Sequence, residues 1–389
     1  MKKDYDVIVV GAGPAGSTAA RFAAEHGISV LMLEKDRDVG YPVRCGEAIS
    51  RAGVAEFIEP DNKWINAVID KFAMVSPDGT EVTIPLEDIG YILERRIFDY
   101  ELAKLASNAG AEILTRAYVN GLIIENDKVC GVKYEFRGEQ HEVRSKVVIA
   151  ADGVESRVGR WAGIKTFIDF RDMECATQIT ASGIPIDQST CYFYFGKDYA
   201  PEGYFWIFPK GDSSANIGLG VSGMTGRKRS ALSFLNDFME KNYPNASVLT
   251  QIAGGVPCVT TLEKISAPGI ILVGDAARQV NPLSGGGIAS GMIGGKIGGT
   301  IVGEAVKMNK LDHILTYDKA WHDRLGKRHE IFDRIKNGIY NFSDEKFNNI
   351  AHSFNKVPYD KRGLGNLFKT ALFNNPSLLV DVAKVFLVK

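Results

Sequence analysis

The sequence predicts an α/β fold of mixed type, with α+β character in its later half. A Rossmann-like dinucleotide-binding domain carries an inserted antiparallel-sheet domain and is followed by a helical C-terminal region. Three observations predict this. The apolar run Val7–Val10 leads into three glycines, Gly11, Gly13 and Gly16, that open a helix of small residues. Two later apolar runs, Val147–Ala151 and Ile270–Val273, end in Asp152-Gly153 and Gly274-Asp275. Between them the texture changes to short, aromatic-rich strands. The expected boundaries are residues 1–165 with 255–310 for the dinucleotide-binding domain, 166–254 for the antiparallel-sheet domain and 311–389 for the C-terminal region.

In the first strand–turn–helix each glycine has a role. Gly11 permits the tight turn, Gly13 lets backbone N–H groups approach a pyrophosphate, and Gly16 lets the helix lie close on the strand. Phosphates then sit at the helix start, where unpaired N–H groups favour negative charge. A second strand, Ser29 to Leu33, ends at Glu34, about 20 residues beyond the glycines, where a carboxylate can accept ribose hydroxyls. Beyond the polar stretch Asp36 to Gly40, the segment Tyr41 to Ala48 reads as a loop feeding a short helix, Ile49 to Glu56. Cys45 there reads as a cofactor contact or as a small buried hydrophobe. An excursion containing Trp64 and the turn Ser76-Pro77-Asp78-Gly79 follows.

A helix from Glu94 and Arg95 to Asn108 is expected to bury Ile97, Phe98, Leu102 and Leu105, with Gly110 as its stop. Arg95 at its start opposes the helix dipole, which points to an anionic partner or to an ion pair. Strands at Ala111 to Val119, Gly121 to Glu125, Lys128 to Phe136 and His141 to Val148, with turns at Asn126-Asp127 and Arg137-Gly138, read as an antiparallel meander whose last strand rejoins the parallel sheet. Asp152 then lies at the carboxyl edge of that sheet, where ligands of open α/β sheets bind, and Ser156 is expected to cap the helix Arg157 to Trp161.

Strands are expected at Glu174 to Ala181, Thr190 to Phe195, Gly203 to Phe208 and Asn216 to Val221, followed by an amphipathic helix, Ser230 to Asn242. Tyr204, Trp206 and Phe208 alternate onto one face, with Phe205 and Ile207 on the other. Such a stripe serves as core or walls a long apolar pocket. Asp275 and the glycines before Ile288 then present a carboxylate and backbone N–H groups at the start of the helix Ile288 to Val306.

Composition narrows the function classes. The 389 residues are 45% hydrophobic and 24% charged, and 46 basic against 47 acidic residues leave a net charge of -1, which argues against nucleic acid as a partner. The five cysteines form neither CxxC pairs nor a metal spacing, so no metal is expected and the compartment reads as reducing. The chain enters its first strand at once, read as leaving no room for a signal peptide, and no apolar run reaches spanning length. From Lys319 onward, 13 basic residues outnumber 7 acidic ones. A final helix is expected from Asn375-Pro376, carrying Leu378, Leu379, Val382, Val385 and Phe386. The two readings of this region are peripheral membrane attachment and a packing helix with a solvated basic face.

Gly11-x-Gly13-x-x-Gly16 with Glu34, Arg95, Asp152-Gly153 and Gly274-Asp275 resembles the FAD-dependent oxidoreductases built on the p-hydroxybenzoate hydroxylase fold, over roughly residues 4 to 310. Cys45-Gly46-Glu47 and Pro201-Glu202-Gly203-Tyr204-Phe205-Trp206-Ile207-Phe208-Pro209-Lys210-Gly211 are similar to motifs of the geranylgeranyl reductases, the archaeal digeranylgeranylglycerophospholipid reductases among them; the second matches that family's YxWxFPxG stretch. The resemblance implies FAD bound around Ala15, Glu34, Cys45, Gly46, Ala48, Arg95, Val119, Asp275, Gly287 and Ile288. It also implies an isoprenoid phospholipid substrate whose double bonds are saturated in membrane-lipid biosynthesis. Cys45, Tyr204, Trp206 and Phe208 are the expected catalytic residues; no titratable residue announces itself as the proton donor, with Cys45 as a flavin-side contributor and Tyr204 as another. The electron donor is left between NAD(P)H and reduced ferredoxin. The chain is expected to be a cytoplasmic monomer with contact at the inner face of the membrane. Two other classes stay open, an aromatic hydroxylase or epoxidase using NAD(P)H and oxygen, and a flavin- or lipid-binding protein without catalysis.

Overall fold

The computed structural model describes residues 3–372 and Leu379, and the expected C-terminal helix lies outside the described residues. The chain divides into two compact units, each assembled from three segments. The first comprises Met1–Val43, Arg95–Phe167 and Val259–His329, and the second Arg44–Glu94, Ile168–Cys258 and Glu330–Lys389.

The first unit is built on a sheet of eight strands. Its spine is parallel, in the order Ile270–Leu272, Glu139–Ala150, Asp4–Val10, Val30–Leu33 and Ala111–Leu114. Residues 7–10, 30–33, 147–150 and 270–272 of these strands are apolar throughout, as in a parallel sheet buried on both faces. Val7, Ile8, Val9, Leu31, Met32, Val148 and Ile149 are fully buried. The meander Ala117–Glu125, Lys128–Phe136 and Glu139–Ala150 is antiparallel and delivers its last strand to the spine, as expected. Positive φ at Asn126, Asp127, Arg137 and Gly138 makes both hairpin turns of the tight type that matches strand twist.

Three details of this unit differ from the sequence reading. The strand expected at Ala111 to Val119 divides, Ala111–Leu114 pairing parallel with Val30–Leu33 in the spine and Ala117–Glu125 running on as one strand of the meander. The helix Arg95–Asn108 buries Phe98, Asp99, Leu102, Ala103 and Ala106, which places Ile97 on the outside, 38% exposed. Ser156 has φ 44° and makes no side-chain cap; its hydroxyl donates to the Ala276 carbonyl, and Asp152 accepts the Val158 N–H in its place.

The second unit also has an eight-stranded sheet, in the order Ser247–Pro257, Met173–Ser182, Ser214–Ser222, Tyr204–Pro209, Thr190–Tyr194, Ile65–Val75, Glu81–Leu93, Ala48–Ser50. All neighbours are antiparallel except Thr190–Tyr194 with Ile65–Val75. One face, with Ile179, Phe205, Ile207, Ile217 and Leu219, packs on Phe234, Leu235 and Phe238 of the helix Ala231–Asn242. That helix is capped by Ser230, which accepts the Ser233 N–H. The other face carries Trp206, Phe208 and Cys191 with Phe72, Phe193 and Tyr204 beside them.

The segment 44–94 therefore departs from its expected place in the dinucleotide-binding domain. Its strands complete the second sheet, and residues 49–50 extend the strand Ala48–Ser50, leaving Arg51–Ala55 as the helix. Residues 311–329 belong to the first unit, where Trp321 and Tyr317 are buried in its core. Among the described residues from 330 onward, Phe354, Ala351 and Leu367 pack on the second sheet against Val82 and Ile84. In the described part of the C-terminal region, apolar side chains are thus used for packing. No helix among the described residues is long and apolar enough to cross a membrane.

Candidate functional site

In the first unit, the glycine turn has the geometry a dinucleotide requires. Gly11 has φ 101°, and a Cβ on Gly16 would stand 1.9 Å from the Gly11 carbonyl oxygen, so the helix start is seated on the turn itself. At Gly13 a Cβ would meet nothing within 4 Å, which leaves the backbone bare on the side facing the helix start. Neither Pro14–Ala24 nor Ile288–Lys307 has a side-chain cap, so the first N–H groups of both remain for a ligand.

Three carboxylates accompany these helix starts. Glu34 accepts the Ala12 N–H at 2.8 Å and the Asp36 N–H at 2.9 Å, which uses two of its roughly four lone-pair sites and leaves acceptor capacity for hydroxyls. Asp152 accepts from Val158 with one oxygen, and its other oxygen is buried without a hydrogen-bond partner among the described residues. Asp275 sits in the turn Gly274–Ala277, its Oδ1 3.2 Å from where a Gly287 Cβ would be. Burial raises the pKa of all three, opposed at Asp275 by the Arg95 guanidinium. Arg95 itself makes a two-pronged pair with Asp99, at 2.7 and 2.8 Å, so the ion pair foreseen as one of its two readings is present and is largely buried. Val119 is 6% exposed in the core. Uncapped helix starts, a bare Gly13 and an orphaned Asp152 oxygen fit a nucleotide-bearing cofactor.

Cys45, Gly46 and Ala48 belong to the second unit and precede or open its short edge strand, next in sequence to Glu47, whose φ is 71°. The loop is tied down from two strands and from the residue that follows a third. Gln178 donates to the Cys45 carbonyl at 2.9 Å and accepts the Trp206 indole N–H at 2.9 Å. Asn216 donates to the Glu47 carboxylate at 2.6 Å, and Lys210 reaches the same carboxylate at 2.7 Å. Lys210 also meets the Leu93 carbonyl at 2.9 Å and Glu94 at 3.4 Å. The Glu47 amide donates to the Cys45 sulfur at 3.1 Å. Above Gly46, a Cβ would come within 3.0 Å of the Phe208 ring, so the loop backbone lies directly against the aromatic face.

Tyr204, Trp206 and Phe208 share that face, Trp206 and Phe208 nearly parallel at 6.1 Å and Tyr204 5.7 Å from Trp206. Trp206 lies flat over Gly218, whose added Cβ would meet the indole at 2.6 Å. Burial raises the Tyr204 phenol pKa, so this hydroxyl keeps its proton. Glu174, Gln178, Asn216 and Lys210 escaped the sequence reading. The available signal was the polar residues Glu174, Gln178 and Thr180 at even spacing on one face of a strand that is otherwise ordinary.

Family models match both parts of the chain. One described as an FAD binding domain covers residues 4–196, and one described as the geranylgeranyl reductase catalytic domain covers residues 172–256. A digeranylgeranylglycerophospholipid reductase of Methanococcoides burtonii is 44% identical, with 99% of this chain and 97% of that protein aligned. The chain belongs to the geranylgeranyl reductase family. The digeranylgeranylglycerophospholipid reductase of Methanocella arvoryzae is 42% identical over 98% of this chain and 99% of its own. Among solved structures, a geranylgeranyl bacteriochlorophyll reductase-like protein from Thermoplasma acidophilum is 33% identical and superposes with a TM-score of 0.92, covering 99% of this chain and 100% of that one. A flavin-dependent brominase, 20% identical with a TM-score of 0.72 over 98% of this chain and 93% of its own, shares the fold alone. FAD is the cofactor of this geranylgeranyl reductase family member. Its catalytic-domain match contains Glu174, Gln178, Tyr204, Trp206, Phe208, Lys210 and Asn216.

Proposed function

We propose that this chain is an FAD-dependent reductase that saturates double bonds of geranylgeranyl chains in archaeal-type isoprenoid glycerophospholipids. What carries the reading is the aromatic face of Tyr204, Trp206 and Phe208 with the Cys45–Glu47 loop bonded onto it, in a chain of this family. When bound and reduced, FAD supplies the hydride. Glu34 is assigned to the ribose, the helix starts at Gly13 and Gly287 to the pyrophosphate and the flavin, and Asp152, Asp275, Ala15, Arg95, Val119 and Ile288 to the surrounding contacts. Cys45, Gly46 and Ala48 keep the flavin-contact role that the family motif implies.

Saturating an isolated trisubstituted alkene needs one hydride and one proton, and protonation develops positive charge on the more substituted carbon. The aromatic faces favour such a charge by about 0.5–2 kcal/mol when water is excluded. Gln178 supports this by fixing the indole in one orientation. Because the substrate resides in a membrane, the reading includes contact with its inner face, for which the basic excess after Lys319 is suited. Electrons come from NAD(P)H or reduced ferredoxin.

Parallel assays separate this reading from oxygen-dependent chemistry. Purified protein given a chemical reductant and a geranylgeranylated glycerophospholipid without oxygen should yield lipid heavier by pairs of hydrogens. NADPH-driven oxygen uptake stimulated by a small phenol, with the lipid unchanged, would oppose it.

A further inference from the structure

The aromatic face has a shallow row across four strands beside Trp206. Tyr204 pairs with Gly220, Gly220 with Ala176 and Ala176 with Gly254, so three successive positions carry at most a methyl group. The next row on one side contains Trp206, Gly218, Gln178 and Ile252, and on the other Ser222, Glu174 and Val256. At Gly220 a Cβ would meet only Glu174, whose Oε2 is 3.6 Å away; at Gly254 it would meet only the stem of Arg44. An extended apolar chain therefore has a floor here, with the Glu174 carboxyl at its side.

That carboxyl is in an unusual state. Glu174 is 7% exposed, its Oε1 accepts the Tyr340 hydroxyl, and its Oε2 is buried without a hydrogen-bond partner among the described residues. A buried carboxylate normally gathers donors on both oxygens, and half-satisfied it favours the neutral acid. Burial pushes the Glu174 pKa up to about 7, against the Tyr340 hydrogen bond and the Lys336 ammonium, which both favour the ionised form; the nearby Glu202 adds to the rise. Lys336 is itself held by Asp333 at 2.8 Å and by the Cys258 carbonyl. Tyr204, Cys175 and Cys258 are also near it, and burial raises the pKa of Tyr204 and Cys175. With Oε1 acting as the carbonyl toward Tyr340, the acid proton belongs on Oε2, the oxygen 3.6 Å from where a Gly220 Cβ would stand.

We propose that Glu174 is the catalytic acid of the reduction, giving its Oε2 proton to an alkene laid across Gly220. This rests on the reductase reading. The alkene π pair forms the new C–H bond at the less substituted carbon as the Glu174 O–H bond breaks. The more substituted carbon receives the hydride from reduced FAD. The products are the saturated C–C bond, oxidised FAD and the Glu174 carboxylate, which takes its next proton on Oε2 from water before another turnover. Tyr204, whose phenol holds its proton, is a wall of the site and not its acid.

Anaerobic single turnovers with reduced protein and the geranylgeranylated lipid test this in wild type, Glu174→Gln and Tyr340→Phe. In wild type, the lipid-dependent reoxidation rate should fall as pH rises through about 7. Glu174→Gln, which keeps an acceptor for Tyr340, should lose at least about 100-fold and show no such limb, with FAD and lipid affinity unchanged. Tyr340→Phe removes a bond that favours the carboxylate, so its alkaline limb should move to higher pH. An infrared carbonyl band of a protonated carboxylic acid, present in the wild-type protein without lipid and missing from Glu174→Gln, is a readout independent of turnover. Wild-type rates in Glu174→Gln, or a wild-type profile flat across neutrality, would overturn the assignment and leave the reductase reading standing. A wild-type protein that leaves the lipid unreduced would overturn both.

Discussion

The Trp206 indole donates its N–H to the Gln178 amide oxygen at 2.9 Å, and both side chains are buried on the face that the catalytic-domain match covers. The same amide donates to the Cys45 carbonyl, so one side chain sets the orientation of the indole and the height of the loop. Gln178→Leu keeps the bulk and removes both hydrogen bonds. We expect a loss of about 1–3 kcal/mol, read as a lower denaturation midpoint, together with slower lipid reduction.

Lys210 pairs with Glu47, whose side chain is only 4% exposed. Lys210→Met should destabilise the protein by about 3–5 kcal/mol, because it takes an ammonium away from a buried carboxylate. Adding Glu47→Gln to Lys210→Met should recover much of that loss in chemical denaturation. An additive double mutant would show that the two residues are not coupled.

Two glycines of the same turn should behave oppositely. Gly16→Ala forces a methyl to 1.9 Å from a backbone oxygen and should abolish folding or flavin retention. Gly13→Ala meets no protein atom within 4 Å and has φ −67°, so stability should change by about 0.5 kcal/mol or less. If the pyrophosphate lies against that backbone, FAD affinity should still fall at least about tenfold, as measured by flavin release on dilution.

These contrasts also mark how far the sequence could be read. The glycine turn, Glu34 and the two strand-ending aspartates were legible because phosphate and ribose recognition demand fixed residue types at fixed spacings. The alternation of Tyr204, Trp206 and Phe208 likewise announced its face. The strands Ile65–Val75 and Glu81–Leu93 were not legible. Register shifts after Ile65 and Ile69 break the alternation of the first, and Pro85, Asp88 and Gly90 interrupt the second. Ser247–Pro257 is exposed along most of its length, so it shows no burial pattern at all. Glu174 and Gln178 read as ordinary strand residues, since their importance depends on partners at Tyr340, Trp206 and Cys45, which are distant in sequence. The domain boundaries shifted for the same reason, because residues 44–94 pair with strands more than 100 positions later.

His329 makes the protein sensitive to acid. It is 2% exposed, lies edge-on to Trp321 at 5.6 Å, and burial lowers its pKa to about 4. Above pH about 6.5 the ring is neutral in both folded and unfolded chains and contributes no pH dependence. Below it the unfolded chain takes up the proton first, so stability falls from about pH 6.5 down to about 4, by roughly 3 kcal/mol in total. His329→Phe retains an aromatic contact with Trp321 and should remove that part of the acid dependence in denaturation followed across this range.

The central claim is that this chain passes reducing equivalents from its flavin to an isoprenoid double bond. The most direct measurement is a single anaerobic turnover of photoreduced protein with a geranylgeranylated glycerophospholipid, with flavin absorbance and lipid mass followed together. The account predicts one pair of hydrogens added to the lipid for each flavin reoxidised. Flavin that stays reduced until oxygen is admitted, beside lipid of unchanged mass, would contradict it.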